Sequence, residues 1–252
     1  MRITERDRLL LAFAAEHKLV LASQAKALLG TSLAAAARRL RALGADRLLD
    51  SDRPFDEQPL CYQVTREGLG VIESRLPAPR SVDRAGYRHD VGVGWLWLAG
   101  RAGVWGEMRE VVSERAMRSR DGRSPGTERF GVRLGGLGPG GRERFHYPDL
   151  LLVDPRGHRI AVELELTAKD RRRLEGILAG YAADPRVSAV LYLVDRPSVG
   201  RSIQASARAL GISDLVHVQP VRWGRDAPSA GAARARARRR ARARPAHRVV
   251  ER

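Results

Sequence analysis

Hydrophobic residues near the start of the chain recur at helical spacing. Thr4 and Asp7 stand at the separation of a capping box, which predicts a helix from there that buries Leu9, Leu10 and Phe13. Leu19-Val20-Leu21 reads as a short extended piece, and Ser23 caps a brief helix ending at Leu29-Gly30. Thr31 or Ser32 opens a third helix with Leu33, Ala36, Ala37, Leu40 and Leu43 on one stripe, and Gly44 stops it. At roughly 100° per residue, Ala35 and Arg38 point away from that stripe, while Arg39 and Arg41 flank it. Arg47-Leu48-Leu49-Asp50 and Cys61-Tyr62-Gln63-Val64 bracket a polar loop rich in Asp and Pro, which predicts a short hairpin. Thr65 then caps a helix through Leu76. The two prolines of Leu76-Pro77-Ala78-Pro79-Arg80-Ser81 interrupt regular structure, so residues 1–76 are predicted to form one unit and 77–82 a linker.

The pattern then changes to alternating helices and strands over 83–223, an α/β arrangement. A helix from about Asp83 to Arg101 carries Tyr87, Val91, Trp95 and Leu98, and Trp105 to Val112 reads as a strand. Arg129 to Leu134 is extended. The glycine run 135–141 lacks the Gly-Lys-Ser/Thr of a phosphate loop and fits a hairpin tip. Two apolar strands within 147–166 flank Pro155-Arg156-Gly157, a three-residue turn with Gly in the left-handed position. That turn pairs residue 154 with 158, which sets Asp149 opposite Glu163 and Tyr147 opposite Glu165. A helix beginning near residue 168 has Leu174, Ile177, Leu178 and Tyr181 on its stripe. Strand 187–194, helix 198–210 and strand 215–218 complete the zone.

Alternation places Asp149, Glu163 and Glu165 on one face of the hairpin, with Leu150, Leu152, Ile160, Val162 and Leu164 on the other. Opposed carboxylates with β-carbons about 5 Å apart repel, so such a face requires a compensating cation. A divalent ion with hard oxygen ligands, Mg²⁺ or Mn²⁺, removes the conflict; so does an arginine from the same chain, in a structural salt bridge. Lys169 falls in the predicted first turn of the next helix, where the helix dipole disfavours a cation, and within reach of the carboxylates.

Composition adds a partner class. The 252 residues include 43 Arg and 3 Lys and carry a formal charge of +17, which points to a polyanion. Residues 224–252 hold +8 of that charge and almost nothing large and apolar, so they read as a disordered basic tail: a nucleic-acid-binding arm or a solvated extension. An arginine-to-lysine ratio this lopsided beside so many Ala and Gly also reflects base composition, which says nothing about partners. The single cysteine, Cys61, excludes an internal disulfide framework and a Cys-rich zinc site. With no long apolar run and no secretory start, a soluble cytoplasmic protein without a membrane partner is expected.

Helix, short strand, helix, basic helix, hairpin, helix is the winged helix-turn-helix order. Tyr62-Gln63-Val64-Thr65-Arg66-Glu67-Gly68-Leu69 resembles the wing-to-last-helix junction of many prokaryotic winged-helix proteins. A helix with one apolar stripe and arginines outside it suits a major groove, so Ser32, Arg38, Arg39 and Arg41 are the candidate contacts to double-stranded DNA. The same fold also serves protein contacts alone, with its arginines merely solvated. Farther on, Pro148-Asp149 on the second of three strands and Glu163-Leu164-Glu165 on the third resemble the PD-(D/E)XK nuclease superfamily, a restriction-endonuclease-like mixed sheet flanked by helices. Glu165 stands where that superfamily usually has Lys, and Lys169 lies on the following helix.

The combined layout, over about residues 4–220, resembles the replication-relaxation family of plasmids and integrative elements. Pro148-Asp149, Glu163, Glu165, Leu166, Thr167, Lys169 and Tyr181 carry the likeness. The resemblance implies a mobile-element protein of replication, relaxation or conjugal transfer. If such a protein is active as an endonuclease, Asp149 and Glu163 would hold Mg²⁺ or Mn²⁺, Glu165 would be a further ligand or base, and Lys169 would offset developing charge. In the other class it is a non-catalytic DNA-binding auxiliary of a relaxase or replication initiator, or a transcriptional regulator.

Overall fold

The computed structural model describes residues 2–56, 58–79, 81–123 and 129–221. The expected basic tail at 224–252 lies outside the described residues. The architecture is mixed α and β, in two sheeted parts joined through one shared helix.

The N-terminal part begins with α1 (Glu5–His17). Its capping box is the one expected: Thr4 accepts the Asp7 N–H, and the Asp7 carboxylate accepts the Thr4 N–H at 2.7 Å. Its buried stripe differs from expectation, with Leu10, Leu11 and Phe13 inside and Leu9 half exposed. After β1 (Val20–Leu21) comes α2 (Ala22–Leu29), whose first turn is capped by Gln24 rather than Ser23: the Gln24 amide oxygen accepts the Leu21 N–H at 3.0 Å. Helix α3 (Leu33–Ala45) starts at Ser32, whose hydroxyl accepts the Ala35 N–H at 3.1 Å. It buries Ala36, Leu40 and Leu43, while Leu33 at its first position is exposed. Strands β2 (Leu49–Asp52) and β3 (Cys61–Val64) pair antiparallel, and β1 joins on the other side of β3. Thr65 caps α4 (Arg66–Val71), which ends five residues before Leu76; Glu73 turns left-handed and the Ser74 N–H reaches back to the Leu69 carbonyl.

Helix α5 (Tyr87–Arg101) is apolar on two sides and is packed on both. Trp95 and Leu98 meet the core of α1–α4, Val93 and Leu96 meet a sheet, and Trp97 touches both. Close approach is possible because α5 is notched: a Cβ at Gly94 would come within 2.7 Å of the Gln24 side chain and 3.1 Å of Phe13. Lys18 to Asp90 (2.7 Å), Gln24 to the Val91 carbonyl (3.0 Å) and the Ser113 hydroxyl to Glu16 (2.9 Å) add polar ties between the two parts.

The C-terminal sheet has the order β10-β9-β8-β7-β4, built from β4 (Glu110–Ser113), β7 (Leu150–Val153), β8 (Arg159–Glu165), β9 (Val187–Val194) and β10 (Val216–Pro220). The first three in chain order form an antiparallel meander, and β8, β9 and β10 run parallel. The crossovers are α7 (Arg171–Ala182) and α8 (Pro197–Ala209), both packed on the face opposite α5. Between β4 and β7 the chain inserts α6 (Glu114–Arg123) and a separate ribbon of β5 (Val132–Leu137) and β6 (Glu143–His146). Strand β4 is shorter than expected, and neither α6 nor β6 is announced by the hydrophobic pattern. The β7–β8 register is the predicted one, with Leu150 opposite Val162 and Leu152 opposite Ile160.

Candidate functional site

Two arrangements of charged side chains stand out, one on α3 and one at the ends of β7 and β8. On α3, Ala34, Arg38, Arg41 and Ala45 are all exposed and fall on one face, opposite the buried Ala36, Leu40 and Leu43. Ser32 heads the same helix from its cap position. Arg39 does not belong to that face. Its guanidinium forks onto both carboxylate oxygens of Asp7, a residue with no exposed surface. Burial would raise the Asp7 carboxyl, but Arg39 and Thr4 outweigh it and hold it below its ordinary range. Arg39 therefore ties α3 to α1, leaving Arg38 and Arg41 as the outward cations.

At the second arrangement, Glu163 and Glu165 sit on the α7 side of β8, buried to 4% and 6% exposure. Glu163 accepts from His146 Nε2 at 2.6 Å and from the Tyr181 hydroxyl at 2.5 Å. Burial opposes its charge, and His146, Lys169 and Tyr181 more than compensate, holding the carboxyl below its ordinary range. Tyr181 is pushed well above the usual phenol value by burial and by Glu163, so it remains a donor. Glu165 pairs with Lys169. That lysine is not in a helical first turn, because α7 begins two residues later with Asp170 as its N-cap. The dipole argument for Lys169 therefore falls, while its reach to the carboxylate strand stands.

Asp149 lies just before β7, beyond the last paired residue. One of its oxygens accepts the Leu164 N–H at 2.8 Å and lies 3.1 Å from His89 Nε2 on α5. The predicted register continues toward Asp149 and Glu163, and the two carboxylates take different partners on different elements. His89 also lies 3.8 Å from Asp90, and although burial opposes its charge, the two aspartates push its pKa up to about 10. The conflict of three carboxylates is resolved by His146, Lys169 and His89 rather than by arginine. Among the described residues no group of three or more His, Cys, Asp or Glu side chains is arranged to hold a metal ion. Tyr147, expected opposite Glu165, instead packs with Val112, Met117 and Leu151, under the Arg118 guanidinium.

His89 and His146 were not legible as site members from the pattern, whereas Tyr181, named by the resemblance, does meet Glu163. His146 adjoins Tyr147-Pro148-Asp149, which is a positional hint; His89 carries none, since its partner comes from 60 residues away. Comparison with known proteins finds no matching family model, no matching curated protein and no matching solved structure.

Proposed function

We propose that this chain is a duplex-DNA-binding protein of a mobile genetic element, in which the N-terminal part is a winged helix-turn-helix that reads DNA through α3. The observation that carries the reading is the outward face of α3, where Arg38 and Arg41 are exposed beside small alanines while Arg39 is withheld by Asp7. Small residues let the helix approach base edges, and two free arginines supply the phosphate and guanine contacts a groove offers. The strand order β1-β3-β2, with α3 immediately before β2, supports the winged-helix assignment.

In the C-terminal part, a helix, an antiparallel meander and parallel crossovers support a restriction-endonuclease-like fold. We infer a non-catalytic role for it, as an auxiliary to a relaxase or replication initiator. Glu163, Glu165 and Asp149 have each been taken by a protein donor, and the first two are closed to solvent, so the donor set does not fit a divalent ion in this arrangement. The opposing reading, a Mg²⁺- or Mn²⁺-dependent endonuclease, is favoured by one observation: Pro148-Asp149 and Glu163-Leu164-Glu165 lie at neighbouring strand ends with Lys169 closing on Glu165.

One experiment separates these readings. Arg38→Ala with Arg41→Ala should weaken binding of a labelled duplex by about tenfold or more, without loss of fold. Supercoiled plasmid incubated with either metal should stay intact. Unchanged duplex affinity in the double variant would remove α3 from recognition. Plasmid cutting that is lost in Asp149→Ala would replace the auxiliary role with an enzymatic one.

A further inference from the structure

The far end of the β5–β6 ribbon takes no part in the core or in the sites above. The ribbon stands apart from the five-stranded sheet and pairs only with itself. Its base is fixed firmly. Val132 enters the core beneath α7, and a Cβ on Gly180 of α7 would come within 2.8 Å of the Arg133 carbonyl. The Gly131 N–H is bound by Asp121 at 3.2 Å, and His146 at the end of β6 holds Glu163.

Its far end is quite different. Gly135, Gly136, Gly140 and Gly141 all have positive φ, and Leu137 among them is 70% exposed, the most exposed large hydrophobic residue described. Arg142 and Arg144 are exposed and have no ion-pair partner among the described residues. Arg133 and Glu143 approach only to 3.5 Å with both side chains more than half exposed, a pairing worth little and readily exchanged for a phosphate.

Among the described residues nothing packs over Leu137 or pairs with Arg142 and Arg144. An acidic protein surface would use the arginines and leave Leu137 and the bare glycine backbone without a role. Duplex DNA uses all three. A two-stranded ribbon fits a groove, arginines bind the flanking phosphates, glycine N–H groups approach the backbone closely, and an apolar tip wedges against a base step.

We propose that the β5–β6 ribbon is a second duplex-DNA contact, with Arg142 and Arg144 on phosphates and Leu137 pressed against bases in the groove. This rests on the reading that the chain binds duplex DNA, and it adds a contact from the part of the molecule that α3 does not reach.

The test uses the full chain and a 40-base-pair mixed-sequence duplex, titrated between about 50 and 200 mM salt, the range over which phosphate contacts are read out. Arg142→Ala with Arg144→Ala should lower affinity about tenfold at the low end and reduce the slope of log K against log salt by about 1.8, two phosphate contacts at about 0.9 each. Leu137→Ser should leave that slope unchanged but lower the bend of the duplex measured by end-to-end energy transfer. Wild-type slope and affinity in the arginine variant, or wild-type bending in Leu137→Ser, would overturn the proposal. Failure of the wild-type chain to bind the duplex at all would instead overturn the DNA-binding reading itself, and the ribbon's role with it. All three residues are exposed, so circular dichroism should show an unchanged fold in each variant.

Discussion

Adjacent arginines on α3 are assigned opposite jobs, and their separation can be measured. Arg39→Ala removes both guanidinium contacts from Asp7, whose side chain has no exposed surface. Taking one partner from a buried ion pair costs about 3–5 kcal/mol. Two features place this pair at the lower end. Arg39 is itself 31% exposed, so water can follow the truncated side chain, and Asp7 keeps the Thr4 N–H at 2.7 Å and the Thr4 hydroxyl at 2.6 Å. A loss of about 3 kcal/mol follows, which for a chain of this length is a fall in Tm of about 9 °C. Urea or thermal unfolding followed by circular dichroism measures it. Combining Asp7→Asn with Arg39→Ala should recover part of the loss, because the stranded charge is then gone. The pH dependence has a definite sign. The folded Asp7 carboxyl lies below its unfolded value of about 3.9, so the stabilisation is fully present above about pH 4 and disappears as pH falls through the folded pKa. Arg38→Ala should leave stability within about 0.5 kcal/mol of wild type and act on DNA alone. If Arg39→Ala unfolds like wild type while losing DNA affinity, the division of labour on α3 is wrong.

Two further predictions concern the interior. His17 is 4% exposed, sits between Phe13 and Trp97 with ring centroids 4.6 and 5.3 Å away in tilted and edge-on contacts, and burial lowers its pKa to about 3, so it folds as a neutral ring. Unfolded chains bind that proton below about pH 6.5, so stability should fall with pH from there and be lower by about 2 kcal/mol at pH 5; a chain carrying His17→Phe should lack that part of the acid sensitivity, and an identical pH profile would refute the assignment. At Gly68, a Cβ would lie 2.2 Å from the Leu48 carbonyl oxygen, whereas at Gly70, one turn-step away, nothing lies within 4 Å. Gly68→Ala should therefore destabilise by about 3 kcal/mol and Gly70→Ala by nothing measurable, and equal midpoints for the two in urea would show that the β3–α4 junction is not packed as described.

The parts of this architecture legible in the sequence are those fixed by local rules. The Pro155-Arg156-Gly157 turn admits one register, and the strands obey it down to Leu150 opposite Val162. The Thr4 and Thr65 caps are likewise local chemistry. Helix α6 was not legible because only Met117 and Asp121 of its ten residues are buried, so it has no apolar stripe to see. Leu9 and Leu33 fit a helical stripe by number, yet nothing packs over them, since α1 turns Leu11 inward instead and α3 begins at Leu33. For the carboxylates, sequence placed the residues and demanded a cation but could not say which one. His89 and His146 come from an α5 and a β6 whose positions are set by tertiary packing alone. The same applies to Arg39, where period counting puts a guanidinium on the flank and only the placement of α1 decides that it meets Asp7.

Among the described residues the charged side chains divide by burial. Three deeply placed carboxylates sit at junctions and take a cation from another element: Asp7 on α1 from α3, Asp90 on α5 from the end of α1, Glu165 on β8 from the loop before α7; the buried Asp121 is met instead by the Phe130 and Gly131 N–H groups. Desolvation offsets most of what such pairs return, so their consequence is geometric: a sliding helix would strand a buried charge at a cost of several kcal/mol. Two of the three lysines, Lys18 and Lys169, are committed in this way, as is Arg39, and they contribute to the +17 without offering anything to a partner. The outward charge is what remains after that subtraction. Among the described residues it includes Arg38 and Arg41 on the exposed face of α3 and Arg142 and Arg144 on the β5–β6 ribbon. If both engage one duplex, their salt slopes should add in a quadruple variant; if they engage separate duplexes, each pair of substitutions should weaken only its own binding event.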